Sequence, residues 1–293
     1  MRGLRIADVG IGLETESPAM GVAFAGTHAG FLADSARPEI EIRAAWSELS
    51  PGAAGAQVFD SGGCWNLARS NGHYVMDFVT PLRGPVPYKR LTASRDWSQG
   101  RVELHQAFYD TDQPVRPFDY PLDELLVMHY LSQRAGAIVH ACGVVDEDGA
   151  GYLFIGHSRA GKTTTALLWN GLPGVTILSD DRIVLRRGGE RVLMHGTPWH
   201  GEAHLSAQGS AELSAVFLLE HGARNEFSQL RPAEAAADLV ARGFLAYHDA
   251  AGMASVMSLF EQIVTDVPCL HFSFTPGPAA VDAVRDRMRH GNG

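Results

Sequence analysis

The residues best suited to chemistry lie in the segment Gly156-His-Ser-Arg-Ala-Gly-Lys-Thr163, which matches the pattern G-x-x-x-x-G-K-[ST] without a mismatch. Its glycines let successive backbone N–H groups turn toward an anion, and the helix start that follows adds unpaired donors. In this pattern Lys162 reaches the outer phosphates of a nucleoside triphosphate, and the Thr163 hydroxyl binds Mg²⁺. The spacing therefore predicts a nucleoside triphosphate and Mg²⁺ as ligands, against the alternative of a strand–turn–helix corner without a ligand. The predicted nucleotide-binding residues are Gly156, Ser158, Arg159, Ala160, Gly161, Lys162, Thr163 and Thr164.

A pair of carboxylates, Asp180 and Asp181, offers a metal ligand and a base. The pair follows the hydrophobic run Val175–Ser179, a predicted strand, and the carboxyl end of such a strand lies beside the phosphate loop in α/β sheets. One carboxylate there can bind Mg²⁺, and another can accept the proton of an attacking hydroxyl. Because adjacent side chains on a strand point to opposite faces, one of the two is structural unless the strand end twists. The other interpretation is a turn that starts the next hairpin.

Histidines and one glutamate are further candidates. His140 lies in a strand pattern, where a lone histidine is more often a hydrogen-bonded core residue than a catalyst. In the segment His195–His204, rich in turn-forming residues, Glu202 is the only carboxylate. The spacing of His200 and His204 suggests zinc but matches neither H-E-x-x-H nor H-x-x-E-H, so zinc is the weakest alternative. The chain also lacks the G-x-S-x-G pattern of acyl-transfer enzymes.

An α/β core must position these side chains. The apolar run Tyr152–Ile155 predicts a strand before the loop, and an Ala/Leu-rich helix is predicted from Lys162 onward. A second strand, Ala137–Val145, precedes them across the turn Asp146–Gly149. A helix of about four turns is predicted from Pro121, with Gly136 as its stop. Beyond the aspartates, the pattern predicts a hairpin around Gly188-Gly189, strands at Leu213–Leu219 and Leu270–Phe274, helices at Ala233–Arg242 and Ser255–Val264, and a closing helix with Arg285, Arg287 and Arg289.

Residues 1–117 follow a different pattern. Short runs such as Glu39–Arg43, His73–Val79 and Arg101–Phe108 alternate polar and apolar residues between turn-forming clusters. This period of two is typical of half-buried antiparallel strands. We predict a β-rich N-terminal module over 1–117 whose role the sequence does not state, a linker at 110–117, and a second domain over 118–293 that contains the loop.

The composition is that of an ordinary globular protein, with 293 residues, 45% hydrophobic and 19% charged, and a formal net charge of −9. This acidic balance, without a long Lys/Arg run, argues against a nucleic-acid partner. Because no apolar run approaches the about 18 residues of a membrane helix and the first residues lack a signal-peptide core, we expect no membrane partner and a cytoplasmic location. Cys64, Cys142 and Cys269 form no C-x-x-C pair, which disfavours a disulfide framework and a cysteine zinc site.

Together these segments resemble the HPr kinase/phosphorylase-like family, whose nucleotide-binding core is related to that of phosphoenolpyruvate (PEP) carboxykinases. The resemblance covers roughly residues 119–276 and implies a P-loop HPr-kinase/PEP-carboxykinase-like core. With the β-rich N-terminal module predicted from the strand pattern, the expected fold class is α/β. The segments at 120–126 and 196–202 are similar to those of the short family members, including precursor-peptide serine kinases. The matching core elements, in order and spacing, are Ile138-Val-His140-Ala, Gly156–Thr164 and Leu178-Ser-Asp180-Asp181-Arg-Ile-Val.

The resemblance implies a serine-directed kinase dependent on ATP and Mg²⁺. By it Asp180 takes the proton from the acceptor hydroxyl, Asp181 binds metal or orients the site, and His140 lies in the shell around the carboxylates. The family's Pro-Gly-Arg pattern is absent from this chain. The implied catalytic residues are Asp180, Asp181, His140 and Lys162, and the implied metal contacts are Thr163, Asp181 and Glu202.

The expected acceptor is a hydroxyl, most simply serine, of a protein or a ribosomal precursor peptide. Two alternatives stay open at this point, a small-molecule hydroxyl kinase and a non-catalytic module that senses nucleotide. The sequence also leaves open whether the chain forms a homo-oligomer.

Overall fold

A computed structural model describes residues 2–34, 37–52 and 55–291 of the chain. The chain forms two compact units, Met1–Tyr130 and Leu131–Gly293, and its fold is mixed α/β with two large sheets. The segment 110–117, predicted as a linker, contains the buried residue Val115, whose N–H donates to Gly21 O and whose C=O accepts from Ala23 N–H. This segment therefore packs within the first unit. The boundary at residue 117 stays a prediction.

Within the described residues, the strands of the first unit are β1 Arg2–Ile6, β2 Val9–Thr15, β3 Leu32–Asp34, β4 Ile40–Ser47, β5 Ala56–Asp60, β6 Trp65–Ser70, β7 His73–Phe78, β8 Lys89–Ala93 and β9 Gln99–His105. They form one sheet of order β3-β1-β2-β4-β9-β8-β7-β6-β5, in which only the β2–β4 and β4–β9 pairs are parallel. Ile40 and Ile42 are buried while Glu41 and Arg43 are exposed, as a period of two requires. The runs predicted as strands here are confirmed, except that Glu39 and Val79 lie just outside β4 and β7 and that residues 106–108 form a 3₁₀ turn.

The helix α1 spans Leu122–Ser132 and is shorter than the four turns predicted. The predicted stop at Gly136 was wrong, because Gly136 is the first residue of the strand β10, Gly136–Val145. The turn is made instead at Ala135, whose backbone adopts the left-handed region with φ 49°.

Within the described residues, the second unit has strands β10, β11 Gly151–Ile155, β12 Thr176–Ser179, β13 Arg182–Gly188, β14 Arg191–His195, β15 Ser210–His221, β16 Glu226–Gln229, β17 Gly243–Phe244 and β18 Cys269–Phe274, and helices α2 Lys162–Trp169, α3 Pro232–Arg242, α4 Ala250–Asp266 and α5 Pro278–His290. The sheet order is β11-β10-β13-β14-β15-β18-β16. In addition, β12 and β17 pair with β10, and β11 pairs with β15. Among the helices described in the chain, none is long and apolar enough to cross a membrane.

The strand β10 connects the two motifs found in the sequence. One edge of β10 forms an antiparallel hairpin with β11, the strand that leads into the glycine-rich loop. Its other edge pairs with β12 and β13, where Gly143 lies opposite Ser179 and His140 lies opposite Arg182. The pair Asp180–Asp181 connects β12 to β13. It therefore lies across β10 from the strand that leads into the loop.

Two apolar cores lie on the two faces of this sheet. Leu153 and Ile155 of β11 belong to the core that includes residues of α3 and α4, whereas Tyr152 and Phe154 belong to the core that includes residues of α2 and α5. Burial on both faces explains why β11 reads as a continuous apolar run and not as an alternating one. The loop thus starts from a strand that is fixed from both sides.

Candidate active site

The glycine-rich loop joins β11 to α2 and depends on two glycines for its shape. Gly161 has φ 108°, and a Cβ atom there would lie 2.5 Å from the ring of Phe274. A Cβ on Gly156 would lie 2.7 Å from the Cβ of Ala160. Neither position can take a side chain unless neighbouring atoms shift, because real Cβ atoms do not approach other atoms so closely. The tight loop leaves the first N–H groups of α2 without intrahelical partners, which suits an anion.

The ammonium group of Lys162 lies over the start of the loop. Its Nζ donates to Gly156 O at 3.0 Å and to His157 O at 3.2 Å. Burial lowers the pKa of Lys162, and the nearby carboxylate of Asp181 opposes that shift. Both acceptors are neutral carbonyls, so an anionic oxygen would be a stronger partner for this cation.

Asp180 is held by the segment that follows β14. Its side chain is almost fully buried, and its two oxygens accept N–H groups from the backbone: Oδ1 from Gly201 and Oδ2 from Ala203, each at 2.9 Å. These two bonds fix the plane of the carboxylate. Since each carboxylate oxygen has two lone pairs, acceptor capacity remains after both bonds are made.

Asp181 is bound by cationic or protonatable groups instead. His140 Nε2 lies 2.9 Å from Asp181 Oδ1, and the guanidinium of Arg182 pairs with the other oxygen. Burial raises the pKa of Asp181, but the hydrogen bond from His140 and the charges of Arg182, His140 and Lys162 lower it by more than burial raises it. The pKa of Asp181 therefore lies below its usual range. His140 is therefore a partner of a carboxylate in a half-exposed position, and not the enclosed core histidine that its strand pattern favoured.

One cleft of about 600 Å³ brings the candidates together. Both aspartates line it despite being adjacent in sequence, because the connection between β12 and β13 departs from the flat strand geometry. Of the predicted residues, Gly156 and Ala160 do not line the cleft. The lining residues are His140, Ser158, Arg159, Gly161, Lys162, Thr163, Thr164, Asp180, Asp181, Gly201, Glu202 and His221.

Two of the lining residues, Gly201 and His221, were not predicted. His221 is the last residue of β15, which runs parallel to β11, so its position follows from a pairing that no local pattern reveals. Its Nε2 lies 3.2 Å from Arg159 O, and its ring stacks on Phe274 with centroids 5.2 Å apart. The sequence predicted this strand to end at Leu219, two residues before His221. A prediction that carried the apolar strand to its observed end would have placed His221 at the strand's carboxyl end.

The side-chain oxygens in the cleft are ligands that suit a nucleotide-bound Mg²⁺ better than a zinc ion. Among the residues that the structure describes, no three His, Cys, Asp or Glu side chains form a metal-binding group. A Mg²⁺ bound with phosphates keeps several waters and needs only one or two protein ligands, which the oxygens of Thr163, Asp181 and Glu202 can supply. The rings of His200 and His204 lie 4.7 Å apart, but within the described part of the chain they lack the additional ligands of a zinc site.

No family model and no curated protein matches the chain. Among solved structures it is similar to the Hpr(Ser) kinase/phosphatase from Coxiella burnetii, with 14% identity and a TM-score of 0.31 over 53% of this chain and 99% of that one. A similarity this low does not assign the chain to a family.

Proposed function

We propose that the chain is an ATP- and Mg²⁺-dependent kinase that transfers the γ-phosphate to a hydroxyl group, with serine of a protein or precursor peptide as the acceptor. The observation that carries the proposal is that Lys162 and Thr163, at the start of α2, line the same cleft as Asp180 and Asp181. Phosphoryl transfer asks a protein for positioning, charge neutralisation and a nearby base, with little covalent work. The cleft contains side chains suited to each of these tasks.

The glycine-rich loop would hold the phosphates. Its backbone N–H groups and the start of α2 offer donors, and Gly161 allows the close approach of the backbone. Lys162 donates to two neutral carbonyls, Gly156 O and His157 O, and phosphate oxygens would replace them as stronger partners.

The two aspartates would have different roles because their partners differ. Asp181 faces His140 and Arg182, which keep it ionised, so it is suited to hold Mg²⁺ together with Thr163 and Glu202. When bound, Mg²⁺ neutralises charge on the phosphate oxygens.

Asp180 is suited to act as the base. The N–H groups of Gly201 and Ala203 hold its carboxylate in one orientation, and its remaining lone pairs can take the proton of an acceptor hydroxyl.

The test is intact-mass analysis of serine-containing peptides, proteins and hydroxylated metabolites after incubation with the chain, ATP and Mg²⁺. We expect one acceptor to gain a phosphoryl group, and the gain to be lost in Lys162→Ala and Asp180→Asn. A matched control is Asp282→Asn, because Asp282 is exposed on α5.

The outcomes separate the alternatives. A gain only on a metabolite would replace the peptide acceptor by a small molecule. Measurable ATP binding by the parent chain with no transfer to any acceptor would refute the kinase and leave a module that senses nucleotide. A gain that persists without Mg²⁺ would refute the metal requirement.

A further inference from the structure

The carboxyl ends of three parallel strands meet at the cleft. β11 leads into the glycine-rich loop, β15 runs parallel to β11, and β18 runs parallel to β15. β15 ends at His221 and β18 ends at Phe274, and these two residues lie opposite each other in the register. Because neighbouring parallel strands end at the same edge of a sheet, both rings lie beside the loop. A Cβ on Gly161 would accordingly lie 2.5 Å from the Phe274 ring and 3.3 Å from His221 Cε1.

His221 makes a hydrogen bond to the backbone of the loop. Its Nε2 lies 3.2 Å from Arg159 O, and since a carbonyl oxygen can only accept, Nε2 carries the hydrogen and donates it. The imidazole is itself oriented, because it stacks on the Phe274 ring with centroids 5.2 Å apart and an interplanar angle of 29°. The backbone at this strand end is held as well, since Gly222 N–H donates to Phe274 O at 3.0 Å.

The carbonyl that accepts this bond belongs to a residue in an unfavourable backbone conformation. Arg159 has φ 67°, in the left-handed region, where a side chain with a Cβ is disfavoured. Ala160 N–H donates to His157 O at 3.1 Å, so residues 157–160 form a turn with Arg159 at its third position. A positive φ at that position favours glycine or asparagine. A strained residue in a functional loop persists where the surrounding structure holds it in place.

The peptide unit between Arg159 and Ala160 is held at both ends. Its C=O accepts from His221, and its N–H donates to His157 O. Together the two bonds fix the plane of this peptide and, with it, the left-handed conformation of Arg159. Turns of this kind direct successive backbone N–H groups toward one point, which is how such loops bind anions. The hydrogen bond from His221 therefore bears on phosphate binding.

We propose that His221 is a positioning residue of the glycine-rich loop, whose Nε2–H keeps Arg159 left-handed and the N–H groups of the loop directed at the phosphates. The proposal rests on the proposed kinase function and concerns the arrangement of the loop before the nucleotide binds. The other interpretation is that His221 only shields the Phe274 ring from water. The first interpretation depends on the hydrogen bond, and the second depends on the stacked ring.

The experiment measures binding of a non-hydrolysable ATP analogue to the full chain, with Mg²⁺, by calorimetry. His221→Phe keeps a ring on Phe274 but removes the donor, so affinity should fall about three- to tenfold, the span of one neutral hydrogen bond. His221→Gln keeps an N–H donor without the ring and should retain more of the affinity. The matched control is His290→Phe, because His290 is exposed on α5 and its Nδ1 lies 3.0 Å from a backbone carbonyl outside the cleft, Asp286 O. Parental affinity in His221→Phe would overturn the proposal.

Two variants without the guanidinium test whether His221 acts through the conformation of Arg159. Arg159→Ala keeps a Cβ and hence the cost of the left-handed conformation, whereas Arg159→Gly removes that cost. Adding His221→Phe should weaken binding about threefold or more in Arg159→Ala but less than about twofold in Arg159→Gly. Equal losses in the two backgrounds would show that His221 does not act through the loop backbone, and the proposal would fail.

Hydrogen exchange at the Ala160 amide, measured by NMR without ligand, separates this proposal from that of the kinase. In His221→Phe this amide should exchange about threefold faster or more, because rotation of its peptide breaks the bond to His157 O. The unfolding midpoint should equal that of the parent, since His221 is exposed. If the parent binds no nucleotide but exchange accelerates in His221→Phe, the kinase proposal fails and the role in holding the loop stands. If the parent transfers phosphate while His221→Phe alters neither affinity nor exchange, the kinase stands and the role of His221 is refuted.

Discussion

Replacing Gly201 by alanine should move the carboxylate of Asp180 without deleting it. A Cβ at position 201 would lie 2.9 Å from Asp180 Oδ2 and 3.2 Å from the Cβ of Asp181, whereas ordinary contact begins near 3.4 Å. Asp180 must therefore withdraw by about 0.5 Å, the difference between 3.4 and 2.9 Å. The shift stretches its bonds to the N–H groups of Gly201 and Ala203, now 2.9 Å each.

The expected magnitude follows from the role proposed for Asp180. Losing a hydrogen bond to a charged acceptor costs about 1.5–3 kcal/mol, and a misplacement near 1 Å can lower a rate about a hundredfold. For Gly201→Ala we expect kcat to fall about ten- to a hundredfold, or about 1.4–2.7 kcal/mol in activation free energy. The KM for ATP should stay within about twofold, because the substitution does not touch the glycine-rich loop.

The assay is single-turnover transfer to the acceptor identified by mass, with thermal unfolding measured in parallel. Gly209→Ala is the matched control, since a Cβ there meets only Leu178 Cδ2, at 3.3 Å, the end of a flexible side chain. Gly201→Ala with parental kcat would show that the position of Asp180 does not limit the reaction. A loss confined to ATP affinity would equally refute its role as base.

Three further predictions concern other residues of the second unit. Lys162→Met should weaken ATP binding about a hundredfold in calorimetry while unfolding changes little, because the hydrogen bonds that the ammonium donates go to the neutral carbonyls of Gly156 and His157. Arg285→Met should lower the free energy of unfolding in urea by about 3–5 kcal/mol, because it leaves the Asp146 carboxylate, 3% exposed, without its two-point partner. Asp181→Asn should flatten the acid dependence of stability: the lowered pKa of Asp181 stabilises the fold above the ordinary value of about 3.9, and that contribution is lost as pH falls through the lower folded-state pKa.

Each of these has a result that would contradict it. Unchanged ATP affinity in Lys162→Met would remove the loop from the binding site. Arg285→Met is compared with Arg289→Met, whose side chain is 60% exposed, and equal effects would mean that burial of the partner does not matter. For Asp181, parallel acid-unfolding curves of parent and variant would show that its carboxylate does not contribute to the pH dependence.

Local sequence was sufficient for the elements that flank the loop. The apolar run before Gly156 and the helix from Lys162 were predicted because each depends on residues close in the chain. The same holds for the hairpin of β13 and β14, which turns at Gly189 with φ 71°. The strands β16 and β17, with 4 and 2 residues, are too short to show a period and were missed.

The amino-acid sequence alone determined the mixed α/β elements, the glycine-rich loop and the candidate carboxylates, because these depend on side-chain type and on spacing along the chain. Only the tertiary structure decided that Asp180 and Asp181 line one cleft and that backbone N–H groups from residues 201 and 203 hold Asp180. These facts depend on pairings between distant strands and on which buried polar atoms find partners. Both are properties of the packed chain, and neither leaves a periodic signal in the sequence.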